Sequence, residues 1–166
     1  MLKLFVAGVA VAAMVAPAVA LECPVEHAIY GQKGSEVSLH FAPVPQDGAS
    51  NQIAAFEVFL PEIAARFIGA IHIPNGFGQP HGSVDQGCTG AEGEACEFWT
   101  GVVYASGADG IVEFPYDPDL PLENQMAPQQ MLLPEFAVTV WYASFREAFS
   151  GDRNVLDVFT LAACAT

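Results

Sequence analysis

Four histidines, His27, His40, His72 and His81, and a surplus of carboxylates are the side chains with most chemistry to offer. His40 and His72 each fall on the less apolar alternate positions of a short run, so a sheet can place them on one face. His72 and His81 flank Pro74-Asn75-Gly76-Phe77-Gly78-Gln79-Pro80 and converge if that stretch turns a hairpin. Two imidazoles with a carboxylate such as Glu57 suit zinc or copper. The spacing does not require a metal, because a strand histidine is more often simply solvated or hydrogen bonded. His81, Ser83 and Asp85 crowd together, but a catalytic triad is normally assembled from separate elements. Gly-rich turns collect the same residue types as turn and cap residues. A Gly-x-Ser-x-Gly elbow is missing from the chain.

The carboxylates cluster in two places: Glu92, Glu94 and Glu97, and further on Asp109, Glu113, Asp117 and Asp119. Calcium favours clustered oxygen ligands, yet the loop pattern D-x-D-x-D-G does not occur. A solvated acidic face accounts for them more simply. Paired carboxylates acting as general acid and base leave no local signature, so a metal- or carboxylate-dependent hydrolase using His40, His72, His81, Glu57 or Asp85 stands as the competing enzyme reading. No catalytic residue, metal ligand or cofactor is assigned.

The elements that must position these residues read as strands. Clusters of Pro, Gly and Asn punctuate the chain at short intervals, and the segments between are rich in Val, Phe, Ile and Tyr, the pattern of an all-β sandwich or barrel. The alternation predicts strands over His27–Tyr30, Glu36–Phe41, Ala55–Leu60, Arg66–Ile73, Glu97–Ala105, Ile111–Phe114, Phe136–Tyr142 and Val155–Cys164. Val37, Leu39 and Phe41 take one face of their strand and Ser38 and His40 the other. Both faces of the last strand are largely apolar, as in a central, doubly covered strand. One short helical turn is expected at Ser144–Phe149. The sequence therefore predicts a single antiparallel sandwich or small barrel of seven to nine strands. Trp99, Tyr104, Trp141 and Tyr142 are placed on strands at mixed parity, so some face outward or occupy a second core face. Exposed aromatics on strands can bind sugars or peptides, while core packing with a hydrogen-bonded polar tip is commoner.

Two segments read as surface loops, Asn75–Gly93, rich in glycine, and Tyr116–Pro134, rich in proline. Loops of this length in a compact domain are often functional. Asn75, Phe77, His81, Glu92, Glu94, Asp117 and Asp119 are the candidate interaction residues on and beside them.

Residues 1–20 carry Lys3, then an almost wholly apolar, Ala-rich stretch broken by Pro17 and ending Ala18-Val19-Ala20. That is the pattern of a cleaved secretory signal, leaving 21–166 as one exported domain, periplasmic or secreted. Export would place Cys23, Cys88, Cys96 and Cys164 where disulfides persist. Cys88 and Cys96 bracket a short Gly-rich loop, while Cys23 and Cys164 sit near the two ends of the domain, so the expected pairs are Cys23–Cys164 and Cys88–Cys96. The C-x₂-C spacing of a zinc or redox site is missing.

Five basic against nineteen acidic residues give a formal charge of −14. Nucleic-acid binding is excluded, because affinity for phosphate comes from Lys and Arg. The same charge favours encounter with basic partners. The sequence reading is therefore an exported, non-enzymatic binding protein that engages a basic protein or an envelope component through its loops. An acidic inhibitor of a basic extracellular enzyme is a further alternative.

Overall fold

Short runs that alternate an inward apolar residue with an outward polar one build most of this chain. The computed structural model describes residues 20–60, 63, 67–76, 78–86, 97–107, 110–148 and 155–165. They form ten strands: β1 (Ala28–Gly31), β2 (Ser38–Ala42), β3 (Gln52–Phe59), β4 (Phe67–His72), β5 (His81–Gln86), β6 (Glu97–Val102), β7 (Tyr104–Gly107), β8 (Gly110–Glu113), β9 (Gln130–Leu132) and β10 (Val158–Cys164). One helix, α1, spans Phe136–Tyr142. The strands make one sheet in the order β6-β5-β4-β3-β2-β1-β10-β9-β7-β8, with every pair antiparallel. The molecule is thus mostly β, a curled half-barrel with one helix.

The curl follows from one bent segment. β6 lies at one end of the strand order and β7 near the other, yet only Val103 separates them. Val103 is fully buried; its N–H donates to the Pro80 carbonyl and its carbonyl accepts from the Phe114 N–H. The chain passing through Val103 therefore draws the two ends of the sheet together. Leu39, Phe56, Phe67, Ile71, Val84, Trp99, Met131 and Phe159 all point into the concave side and are nearly or wholly buried. Phe56 stacks on Phe41 with centroids 5.1 Å apart and lies over its register partner Gly69, where an added Cβ would overlap the ring.

The register defines two ends. Ser38, Phe59, Phe67 and Glu97 lie toward one, Ala42, Gln52, His72 and Val102 toward the other. At the first end α1 drops Phe136 and Val140, one turn apart, into the core. Phe136 meets Phe98, Trp99 and Phe159 at 5.7–6.2 Å. At the second end the segments around Cys23 and Cys164 are joined by a disulfide whose Cα atoms are 5.7 Å apart.

Several expectations need correction. Phe136–Tyr142 is a helix, not a strand. Its β-branched and aromatic residues favour a strand locally, but Glu135 at φ 64° turns the chain, and the Asp157 carboxylate accepts from the backbone N–H groups of Glu135 and Ala137 at 3.2 and 2.8 Å. That cap and the burial of Phe136 and Val140 outweigh the propensity. Trp141 and Tyr142 accordingly stand on α1 and not on a strand, and both are exposed. The described residues form ten strands, not seven to nine, partly because both long loops contain strands. β5 was concealed by its Gly, Ser, Asp and Gln content, and β9 is three residues long between prolines. The run Glu97–Ala105 is two strands, because it bends at Val103. β10 is not covered on both faces: Phe159 and Leu161 are buried while Val158 and Thr160 face outward.

The bridge Cys23–Cys164 is present. Cys88, Cys96, Phe77, Glu92 and Glu94 lie outside the described residues, as do residues 1–19. A 3-10 turn at Arg146–Ala148 falls inside the stretch expected to be helical. No helix among the described residues is long and apolar enough to cross a membrane.

Candidate functional site

His40, Glu57, His72, His81 and Asp85 alternate with buried strand positions and so share the convex face, but they spread across it; His27 sits in the turn before β1. His40 stands directly opposite Glu57, and His72 directly opposite His81. In the same row as His40, the residues Glu57, Ile68, Asp85 and Glu97 follow each other across β3 to β6. The hairpin convergence of His72 and His81 is thus real. Even so, no group of three or more His, Cys, Asp or Glu among the described residues is close enough to hold a metal ion. Ser38, which the sequence places on the same face as His40 without giving it a role, has its Oγ 2.9 Å from His40 Nε2. The i, i+2 spacing of a strand brings them together on one face. This pair lies on the convex face of the sheet, beside Phe59 at a ring distance of 6.1 Å, and does not line the cleft described below.

A concave feature lies elsewhere, at the second end. A cleft of about 560 Å³ opens between the β3 entrance, the segment after β4 and the loop after β8. Ser50, Asn51, Gln52, Asn75 and Tyr116 supply its polar wall, and Ile53, Ile73, Pro118 and Leu122 its apolar one. None of these nine side chains carries a charge.

The local chemistry explains why each wall holds its shape. Asn51 locks the β3–β4 corner: its carbonyl accepts from the Ile73 N–H at 2.9 Å and its Nδ2 donates to the Ile73 carbonyl at 3.1 Å. Asn75 adopts left-handed backbone angles, φ 53° and ψ 22°, which asparagine tolerates better than most residues. The opposite wall is pinned by Gln125, which is buried beneath it. Its Nε2 donates to the carbonyls of Asp117 at 2.6 Å and Leu120 at 3.0 Å, and its Oε1 accepts from the Asp117 N–H at 3.0 Å. Asp117 Oδ1 accepts from the Asp119 N–H at 2.9 Å, a side-chain turn that shapes the loop. The loop is tied in turn to the N-terminal segment: the Val25 N–H donates to Gln125 O at 2.8 Å and the Ala127 N–H to Cys23 O at 2.8 Å.

Of the candidate interaction residues, Asn75 lines the cleft, Asp117 and Asp119 lie on its loop at the exposed rim, and His81 faces outward on β5. The residues missed from sequence were Ser50, Asn51, Gln52 and Tyr116. Tyr116 opens the second loop and was within reach of the loop argument. The β3 residues were not, because nothing local says that the second loop folds across them.

No protein-family model matches the chain, and neither a curated protein nor a solved structure matches it.

Proposed function

We propose that the chain is an exported, non-enzymatic binding protein that seats an uncharged, hydroxyl- and amide-bearing ligand in this cleft, in class an N-acetylated saccharide of a cell envelope. The observation that carries this reading is the meeting of the two long loops, through Asn75 and Tyr116, over a cleft without a charged wall. Its volume falls within the ~300–1,000 Å³ of ordinary small-molecule sites. Side-chain amides and a hydroxyl can pair with sugar hydroxyls and acetamido groups, and Tyr116 offers an aromatic surface that is 38% exposed. An ionic ligand would find no counter-charge on the wall. Export is supported by the leader-like start and by the Cys23–Cys164 disulfide, a bond that persists in oxidising compartments.

Calorimetric titration with the N-acetylglucosamine tetramer tests this. Saturable 1:1 binding that is lost in Tyr116→Ala and weakened in Asn75→Ala supports the reading, while binding unchanged by both substitutions removes the cleft from it.

A second reading, an acidic inhibitor of a basic extracellular enzyme, is favoured by the charge of −14. Like-signed surface charge speeds encounter with oppositely charged proteins. Capture of a basic enzyme from an envelope extract at low salt, with release at high salt and loss of its activity, is the result it requires. The hydrolase reading has no comparable support, since His40, His72, His81, Glu57 and Asp85 do not gather at a cleft.

A further inference from the structure

We propose that the free edge of β8 takes up an extended, lysine- or arginine-bearing segment of a partner protein as an added antiparallel strand. The two extremes of the sheet are unequal. β6 is roofed: the Trp99 indole N–H donates to the Pro134 carbonyl at 2.9 Å, and Phe98 packs edge-on against Phe136 of α1. Among the described residues β8 ends the strand order at the other extreme, and all four of its residues are exposed, Ile111 by 70% and Val112 by 44%.

The register fixes which backbone groups are free. The Phe114 N–H donates to Val103 O, so Phe114 and, by alternation, Val112 turn their N–H and C=O toward β7. Ile111 and Glu113 therefore turn theirs outward. Exposed edges in natural sheets are commonly blunted by lysine, proline, a bulge or a covering element; β8 carries only Glu113. Ile111 and Val112 offer an apolar side chain to each face of an added strand, which is the arrangement by which extended segments dock on sheet edges.

Charge selects the occupant. Glu113 lies on the strand, Asp117 and Asp119 follow it, and the whole chain carries −14. A second copy would bring the same charge to the edge, and an acidic segment would be repelled. A basic segment is attracted to it. This inference does not depend on what fills the cleft.

The probe is a fluorescein-labelled hexapeptide alternating Val and Lys, with the Val–Glu alternate as comparator. Added at low salt to the intact protein, the Lys peptide is expected to raise anisotropy saturably and to slow amide exchange at Ile111 and Glu113. Binding should weaken at high salt, and the Glu peptide should not bind. Ile111→Pro removes an outward donor and spares the β7 ladder, so it should abolish binding, and Ile111→Thr should weaken it. Tyr116→Ala should leave it intact, which separates this edge from the cleft. Unchanged binding by Ile111→Pro would mean that the peptide coats acidic surface elsewhere, and overturns the proposal. So does a failure of the Lys peptide to bind, or protection of the same amides by self-association without peptide.

Discussion

The Tyr30 hydroxyl, buried in the core, donates to the Pro128 carbonyl at 2.7 Å. Burial pushes its phenol above the ordinary tyrosine value of about 10. The unfolded chain then loses this proton at a lower pH than the folded one, so stability is undiminished below about pH 10 and declines as pH rises beyond it. Urea denaturation at successive pH values should show this alkaline decline. Tyr30→Phe should flatten it while costing about 1 kcal/mol at neutral pH, the usual worth of one buried hydrogen bond. An alkaline decline of undiminished steepness in that variant would assign it to other groups. Gly69 is a second such residue. Any Cβ there meets the Phe56 ring, so Gly69→Val is expected to cost roughly 1–3 kcal/mol by overpacking, seen as a lowered denaturation midpoint. Single residues were only partly legible in the sequence. His72 and His81 could be paired from the turn between them, whereas the bond from Ser38 to His40 asked for a side-chain orientation that spacing alone does not supply.

At the scale of elements, α1 shows where local reading fails. Phe-Ala-Val-Thr-Val-Trp-Tyr has the composition of a strand, and the signal that makes it a helix sits on a distant segment as Asp157. Asp157→Ala should therefore uncap the helix at a cost of about 1–2 kcal/mol, with loss of protection at the amides of Glu135 and Ala137. Asp157→Asn, which keeps an oxygen acceptor, should recover much of that. Equal stability of Asp157→Ala and wild type would show that packing of Phe136 and Val140 alone holds α1. The strands β2, β3 and β4 were legible because alternation and burial agree in them; β10 was legible as a strand, but its outward apolar residues such as Val158 concealed which face is buried. β5 was not, because its inward positions are Gly82, which sits under Trp99, and Val84. A strand that packs a glycine beneath a neighbour's indole carries almost no hydrophobic signal of its own. The cleft was legible only as two loops, since their meeting depends on Gln125 pinning one of them across the end of the half-barrel.

For the whole molecule, the disulfide and the curl act together. Cys23–Cys164 encloses a span of 141 positions beside the β1–β10 pairing. Loop-closure entropy values such a bridge at about 5 kcal/mol. Cys23→Ser with Cys164→Ser should lower thermal stability sharply and loosen the second end, where Ala127 and Val25 hold the cleft loop to the N-terminal segment. Saccharide affinity should fall along with stability in that variant, whereas Asp157→Ala, acting at the opposite end, should lower stability with affinity nearly preserved. The central claim is that the two long loops form one binding site over the cleft. Its most direct test is a ¹H–¹⁵N spectrum of the isotopically labelled protein titrated with the N-acetylglucosamine tetramer. The claim predicts that the signals of Asn51, Gln52, Asn75 and Tyr116 move together along one saturating curve while those of His40, Asp85 and α1 stay in place. Shifts confined to the convex histidine face, or no saturable shift at all, would contradict it.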